Sequence, residues 1–128
     1  ELFVLFADVF EQEYQELTPP YLARLLSRAE FWAVAAMAGD HIVGGITAHC
    51  LPMTLSEESE LFIYDLAVRA EHQRKGIGRA LVARLLDWAA VEGIRTAFVP
   101  ADNEDTHALD FYRAVGGRES AVTIFLFP

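Results

Sequence analysis

The residues with the clearest chemical content are Asp65-Leu66-Ala67-Val68 and, four positions on, His72-Gln73-Arg74-Lys75-Gly76-Ile77-Gly78-Arg79-Ala80-Leu81. The pattern reads as a strand, a short basic loop with glycines, and the start of a long helix. A helix start carries backbone N–H groups with no internal partner, and the helix dipole adds partial positive charge there. A strand–loop–helix junction of this kind is an anion site, most often for phosphate. Gly76 and Gly78 let a ligand approach the backbone closely, and Arg74, Lys75 and Arg79 add charge.

The rest of the chain must position that junction. Leu2, Phe3, Leu5, Phe6, Val9 and Phe10 fall at helical spacing, which predicts an amphipathic helix over residues 1 to about 12. Thr18-Pro19-Pro20 opens a second helix, from Tyr21 to Arg28. Phe31 to Ala38 and Ile42 to Leu51 read as strands joined at Gly39-Asp40, and residues 52–59 form an acidic loop. Glu60 to Val68 is a strand rich in β-branched and aromatic residues. The long helix runs from Gly76 to Glu92, with Gly93 where a C-terminal cap belongs. A strand over Ile94–Pro100, a helix over Asp105–Val115 capped by Asp105 or Thr106, and a closing strand over Ser120–Phe127 complete the order. The expectation is α-α-β-β-β-α-β-α-β: an α+β fold with one mixed central sheet flanked by helices.

With 128 residues the chain is expected to form one domain, residues 1–128. A hydrophobic content of 53% speaks against disorder. No apolar run approaches membrane-spanning length, so no membrane partner is expected. Glu1-Leu2-Phe3-Val4 lacks the basic region of a signal peptide, and the abrupt start suggests missing upstream residues. Cys50 is the only cysteine, consistent with a reducing cytoplasm. The 19 acidic and 10 basic groups give a net charge of −9, which disfavours nucleic acid and suits a cationic small molecule. His41, His49, His72 and His107 show no metal-ligand spacing with Cys50 or one another, so no metal site is expected. Asp65 stands in an otherwise apolar strand, where a buried charge is costly unless paired. It is a candidate either for substrate contact or for a structural hydrogen bond. Glu57, Glu58 and Glu60 could form a cation-attracting rim or simply a solvated loop.

A Walker loop would need a longer glycine spacing followed by Lys-Ser or Lys-Thr, and a dinucleotide fold would need Gly-x-Gly-x-x-Gly near the first strand; both are absent. Gln73-x-x-Gly76-x-Gly78 at a strand-to-helix junction instead resembles the pyrophosphate-binding signature of the GNAT N-acetyltransferases. Ala108-Leu109-x-Phe111-Tyr112-x-x-x-Gly116 resembles their second signature, and the two stand in the family's order. Ile63-Tyr64-Asp65-Leu66-Ala67-Val68, Leu51-Pro52 and Ala101-Asp102-x-x-Asp105 are similar to the aminoglycoside 3-N-acetyltransferases of type I, the gentamicin acetyltransferases. Relative to that group the first strand is missing, and Gly116-Gly117 replaces a common Gly-Phe.

The resemblance implies acetyl-CoA as cofactor and acetyl transfer to the 3-amino group of an aminoglycoside, an antibiotic-resistance activity, in a cytoplasmic homodimer. The alternative is another amine: a polyamine, a small metabolite or a protein lysine. Gln73, Arg74, Lys75, Gly76, Ile77, Gly78 and Arg79 would hold the pyrophosphate. The backbone of Leu66, Ala67 and Val68 would pair with the pantetheine arm as an added strand does, with Ala108, Phe111 and Tyr112 beside it. Tyr112 would protonate or hydrogen-bond the departing thiolate. Asp102 and Asp105 would bind a cationic amine and accept its proton, with Asp65, Asn103 and Glu104 as further substrate contacts.

Overall fold

A computed structural model describes all residues from Glu1 to Pro128. Two helices, α1 (Leu2–Val9) and α2 (Pro19–Ser27), precede three antiparallel strands, β1 (Phe31–Ala38), β2 (His41–Pro52) and β3 (Ser59–Val68). A 3-10 turn (Ala70–His72) leads to α3 (Ile77–Val91), which crosses over to β4 (Thr96–Phe98), parallel to β3. Helix α4 (Thr106–Ala114) follows. The sheet order is β1-β2-β3-β4, the expected mixed sheet.

Local chemistry accounts for the boundaries. The Thr18 hydroxyl accepts from the Tyr21 N–H and caps α2, whose first turn tolerates two prolines because their missing N–H groups would be unpartnered there anyway. The Asp105 carboxylate accepts from the Ala108 N–H at 3.0 Å and caps α4.

The sheet has a different partner on each face. Ile46, Ala48, Leu61 and Ile63 meet Leu81, Val82, Leu85 and Ala89 of α3 in the main core, which Trp32 extends by stacking on Trp88 at 4.2 Å. On the opposite face Leu5 and Phe6 of α1 bury against Ala67.

A register slip decides which side chains face which layer. Thr47 pairs with Asp65 and Ala48 with Ile63, so Tyr64 is an extra residue on β3. A bulge places two successive side chains on one face and reverses the alternation beyond it. Phe62, Tyr64, Asp65 and Ala67 therefore share the α1 face, while Leu66 and Val68 return to the α3 core.

Two expectations are corrected. Ser120–Phe127 is not a strand: after the Gly117 N–H bonds the Tyr112 carbonyl at 2.8 Å, no further backbone hydrogen bond involves the C-terminal segment. Ile124, Leu126 and Phe127 are 65%, 88% and 92% exposed. Strand propensity measures fit to a pleated, half-buried surface, and here no edge receives the segment. The strand expected over Ile94–Pro100 is reduced to Thr96–Phe98, because Ile94 instead returns its N–H to the Ala89 carbonyl and buries under the end of α3.

Candidate active site

The anion loop is built as a cradle. Arg74 and Gly76 both adopt left-handed backbone conformations, φ 63° and 79°, and alternation of hand turns successive N–H groups toward one point. A non-glycine residue at positive φ costs about 1–2 kcal/mol, so Arg74 is held there by its surroundings. Gln73 supplies one restraint, donating from Nε2 to the Val68 carbonyl at 2.9 Å and fastening the loop to the end of β3. Gly76 is the N-cap of α3 and offers no side-chain acceptor, and the N–H groups of Ile77, Gly78 and Arg79 have no acceptor within the chain. A Cβ on Gly76 would meet nothing within 4 Å, which leaves the approach to these donors open. Arg74 and Lys75 are exposed beside them, whereas the Arg79 guanidinium donates to the Ala114 carbonyl at 3.0 Å and ties α3 to α4.

The strand leading into this cradle has a free edge. β4 pairs with β3 only at Glu60, Leu61 and Phe62. Beyond Phe62 the two parallel strands part, and Leu66, Ala67 and Val68 keep strand pairing only on the β2 side. An unpaired backbone edge beside a phosphate cradle fits a long ligand with amides along an arm and a pyrophosphate at its end, the build of coenzyme A.

Helix α4 closes the other side of the opening. Gly78 lets it approach: a Cβ there would stand 3.1 Å from the Phe111 ring, which packs against the main core. Ala108 is half-buried on the same helix. Tyr112 is half-buried next to Phe111, and burial with the charges of Asp105 and Asp65 raises its phenol above the usual value. It therefore remains a neutral O–H donor across the neutral range. Asp105 and Asp102 are each engaged locally, the first as the α4 cap and the second accepting from the Glu104 N–H at 2.9 Å. Both are exposed, as are Asn103 and Glu104.

Across the sheet from α3, a cleft of about 330 Å³ opens between α2 and the bulge. Phe3, Leu17, Tyr21, Leu25, Phe31 and Tyr64 wall it, and Thr47, His49 and Asp65 supply its polar groups. Burial lifts the Asp65 carboxyl above the ordinary carboxylate range, while the positive charge of His49 opposes that rise. Of the residues expected to meet substrate, only Asp65 lines this cleft; Asp102, Asn103, Glu104 and Asp105 lie outside it. Four of its residues, His49, Tyr64, Phe31 and Tyr21, escape a reading of the sequence for site chemistry. The available signal was the costly charge of Asp65, whose strand neighbours had to answer it. A larger cavity, about 510 Å³, lies where the end of α3 meets the β2–β3 loop and shares no residue with the cleft or the anion loop. Glu57 and Glu58 line it and Glu58 pairs with Arg95, so that acidic pair does not rim the cleft.

Residues 1–116 match the acetyltransferase (GNAT) family. The fold is similar to that of an aminoglycoside acetyltransferase from an uncultured soil metagenomic sample, at 36% identity and a TM-score of 0.95 over 99% of this chain and 85% of that one. A second soil-metagenome aminoglycoside acetyltransferase superposes with a TM-score of 0.91 at 34% identity, over 99% of this chain and 88% of that one. Among curated proteins, the Escherichia coli K12 N-acetyltransferase acting on the alanine of ribosomal protein bS18 is 27% identical over 85 residues, 66% of this chain and 56% of that protein. Human N-acetyltransferase 8B is 26% identical over 113 residues, 88% of this chain and 48% of that protein. The chain thus spans about half the length of the curated relatives it matches. The open β3 edge, the cradle's free N–H groups and the two family signatures agree with one another: the chain belongs to the GNAT acetyltransferase family, whose acyl donor is acetyl-CoA.

Proposed function

We propose that the protein transfers acetyl from acetyl-CoA to the 3-amino group of an aminoglycoside by direct attack of the amine. The observation that carries the reading is the position of Asp65. It stands on the strand whose free edge runs to the cradle, it lines the aromatic cleft, and its charge reaches Tyr112. When bound, acetyl-CoA supplies an activated acetyl thioester. The backbone of Leu66, Ala67 and Val68 holds the donor's arm, and the N–H groups from Gln73 to Arg79 hold its phosphates with Arg74 and Lys75 as counter-charges. Ala108 and Phe111 close the channel from α4. Tyr112 donates its phenolic hydrogen bond to the leaving sulfur. Asp65 anchors the ammonium in the cleft, and Asp102, Glu104 and Asp105, with Asn103, form an outer rim that favours a cationic acceptor.

The aminoglycoside assignment is supported by the similarity to the soil-metagenome aminoglycoside acetyltransferases, one of them held with sisomicin, and by the net charge of −9. Incubation with acetyl-CoA and gentamicin or sisomicin should release free thiol and add one acetyl mass to the drug; neither event would refute the assignment. The matches to a ribosomal-protein alanine acetyltransferase and to the N-acetyltransferase 8 group favour a second reading, transfer to another amine, and an acceptor panel including polyamines and peptides decides between them. No helix is long and apolar enough to cross a membrane, and the cytoplasm with its reduced Cys50 is the proposed setting. A homodimer, covering the apolar C-terminal segment, completes the proposal.

A further inference from the structure

We propose that His49 is the group that takes the acceptor's proton, as the imidazole of a His49–Asp65 pair built into the cleft beneath α2. The inference rests on the acetyl-transfer reading above and assigns a catalytic residue to its acceptor side. The geometry comes from the sheet. Thr47 and His49 alternate onto the same face of β2, and Asp65 stands directly opposite Thr47. His49 and Asp65 are thereby diagonal neighbours on one face, a separation long side chains span. The bulge at Tyr64 is what brings Asp65 to that face; without it the carboxylate would point into the α3 core.

The imidazole is held by its neighbours. Its ring lies 5.3 Å from Phe31 at 54° and 5.3 Å from Tyr64 edge-on at 84°. Of the side chains lining the cleft, His49 is the only one able to carry positive charge and Asp65 the only carboxylate. The other titratable groups around them are Tyr64 from β3, Tyr21 from α2 with Arg24 over its ring at 6.0 Å, and Tyr112 of α4, whose phenol feels the charges of both Asp65 and the α4 cap Asp105. Helix α1 and strand β1 present only Phe3 and Phe31. Aromatic walls favour an ammonium through their ring faces. An imidazole ordinarily changes charge near neutral pH, which suits it better than a carboxylate to take a proton from an amine and return it to water. Asp102 and Asp105 are poor rivals, each already accepting a backbone N–H outside the cleft.

In the step itself, one N–H bond of the acceptor's ammonium breaks and one imidazole N–H bond forms. The electron pair stays on the acceptor nitrogen as its nucleophilic lone pair. The positive charge moves to His49, where Asp65 offsets it, and the proton leaves to solvent past Tyr64, which is 61% exposed at the mouth.

NMR of the full chain at one fixed pH, following the His49 Hε1 resonance identified by its loss in His49→Gln, reads the pair without turnover. Asp65→Asn should displace that resonance while leaving the ring resonances of Tyr21 in place; an unmoved His49 resonance overturns the pair. Thiol release from acetyl-CoA with sisomicin, spermidine or an alanine-terminated peptide reads the role. His49→Gln should lower kcat at least about tenfold, leave the KM for acetyl-CoA unchanged and flatten the acidic limb of the pH–rate profile. His49→Phe keeps the ring stacking, so it should retain the melting temperature while losing the same activity. A wild-type chain that acetylates an amine with His49→Gln equally active overturns the proposal alone. A wild-type chain that acetylates none of the three overturns the acetyl-transfer reading and this proposal together.

Discussion

The hydroxyl of Thr47 accepts a hydrogen bond from the backbone N–H of Asp65 at 3.2 Å, at the point where the β2–β3 register slips. Thr47 is 2% exposed and stands as the one buried polar residue of the sheet. It accepts from the backbone beside the bulge, and so helps to fix the residue whose carboxylate faces the cleft. Thr47→Val keeps the shape and removes the acceptor. It should cost about 1–3 kcal/mol, the penalty of an unsatisfied buried donor, read by urea denaturation, and should lower kcat/KM for the acceptor more than for acetyl-CoA.

Asp65 sets function against stability. Its carboxyl is raised by burial above its unfolded value, so the folded chain binds its proton more tightly than the unfolded chain does. The stabilisation this gives is complete below the unfolded value, about 3.9 for an aspartate, and is lost as pH rises through the higher folded value. Asp65→Asn should therefore melt higher than wild type near pH 7 and match it near pH 3, while losing activity. Thermal melts of both proteins across that range check the sign.

Tyr112 carries the same sign at the other end of the pH scale. Its raised phenol stays protonated beyond the usual tyrosine value near 10, so ionisation enters only in strongly alkaline solution. Tyr112→Phe should lower kcat by about 10²–10⁴-fold with little change in acetyl-CoA affinity by calorimetry. It should also remove part of the destabilisation that wild type suffers above pH about 10.

Gly78 tests the donor side. A Cβ there stands 3.1 Å from the Phe111 ring, so Gly78→Val forces α4 away from α3. The KM for acetyl-CoA should rise at least about tenfold, with a stability loss of about 1–3 kcal/mol from overpacking. Calorimetry and denaturation measure the two effects separately.

The C-terminal segment makes no backbone hydrogen bond to the body of the protein. Removing Ser120–Pro128 should leave the monomer's unfolding free energy nearly unchanged. If the segment joins two copies, truncation converts the dimer to a monomer in sedimentation; an unchanged dimer would disprove that role.

The strand–loop–helix junction was legible in the sequence because its conformation is local. A glycine-bearing loop between strand and helix folds the same way wherever it occurs, and Gln73, Gly76 and Gly78 announce it. The acceptor half depends on a parity change that composition does not display. Tyr64 and Asp65 are adjacent in the chain and an alternating strand would send them to opposite faces, so neither the bulge nor the partnership with His49 could be read in advance. The strand expected over Ser120–Phe127 fails for the complementary reason: a strand is defined by its neighbour, and none is present beside it.

The parting of β3 from β4 has a consequence for the protein's life in a cell. A row of free backbone groups next to a hydrophobic interior is the surface on which misassembly starts. A donor bound along that row as a substitute strand would close the edge and add its binding free energy to that of folding. On the proposed reading, acetyl-CoA would then protect the fold as well as feed the reaction.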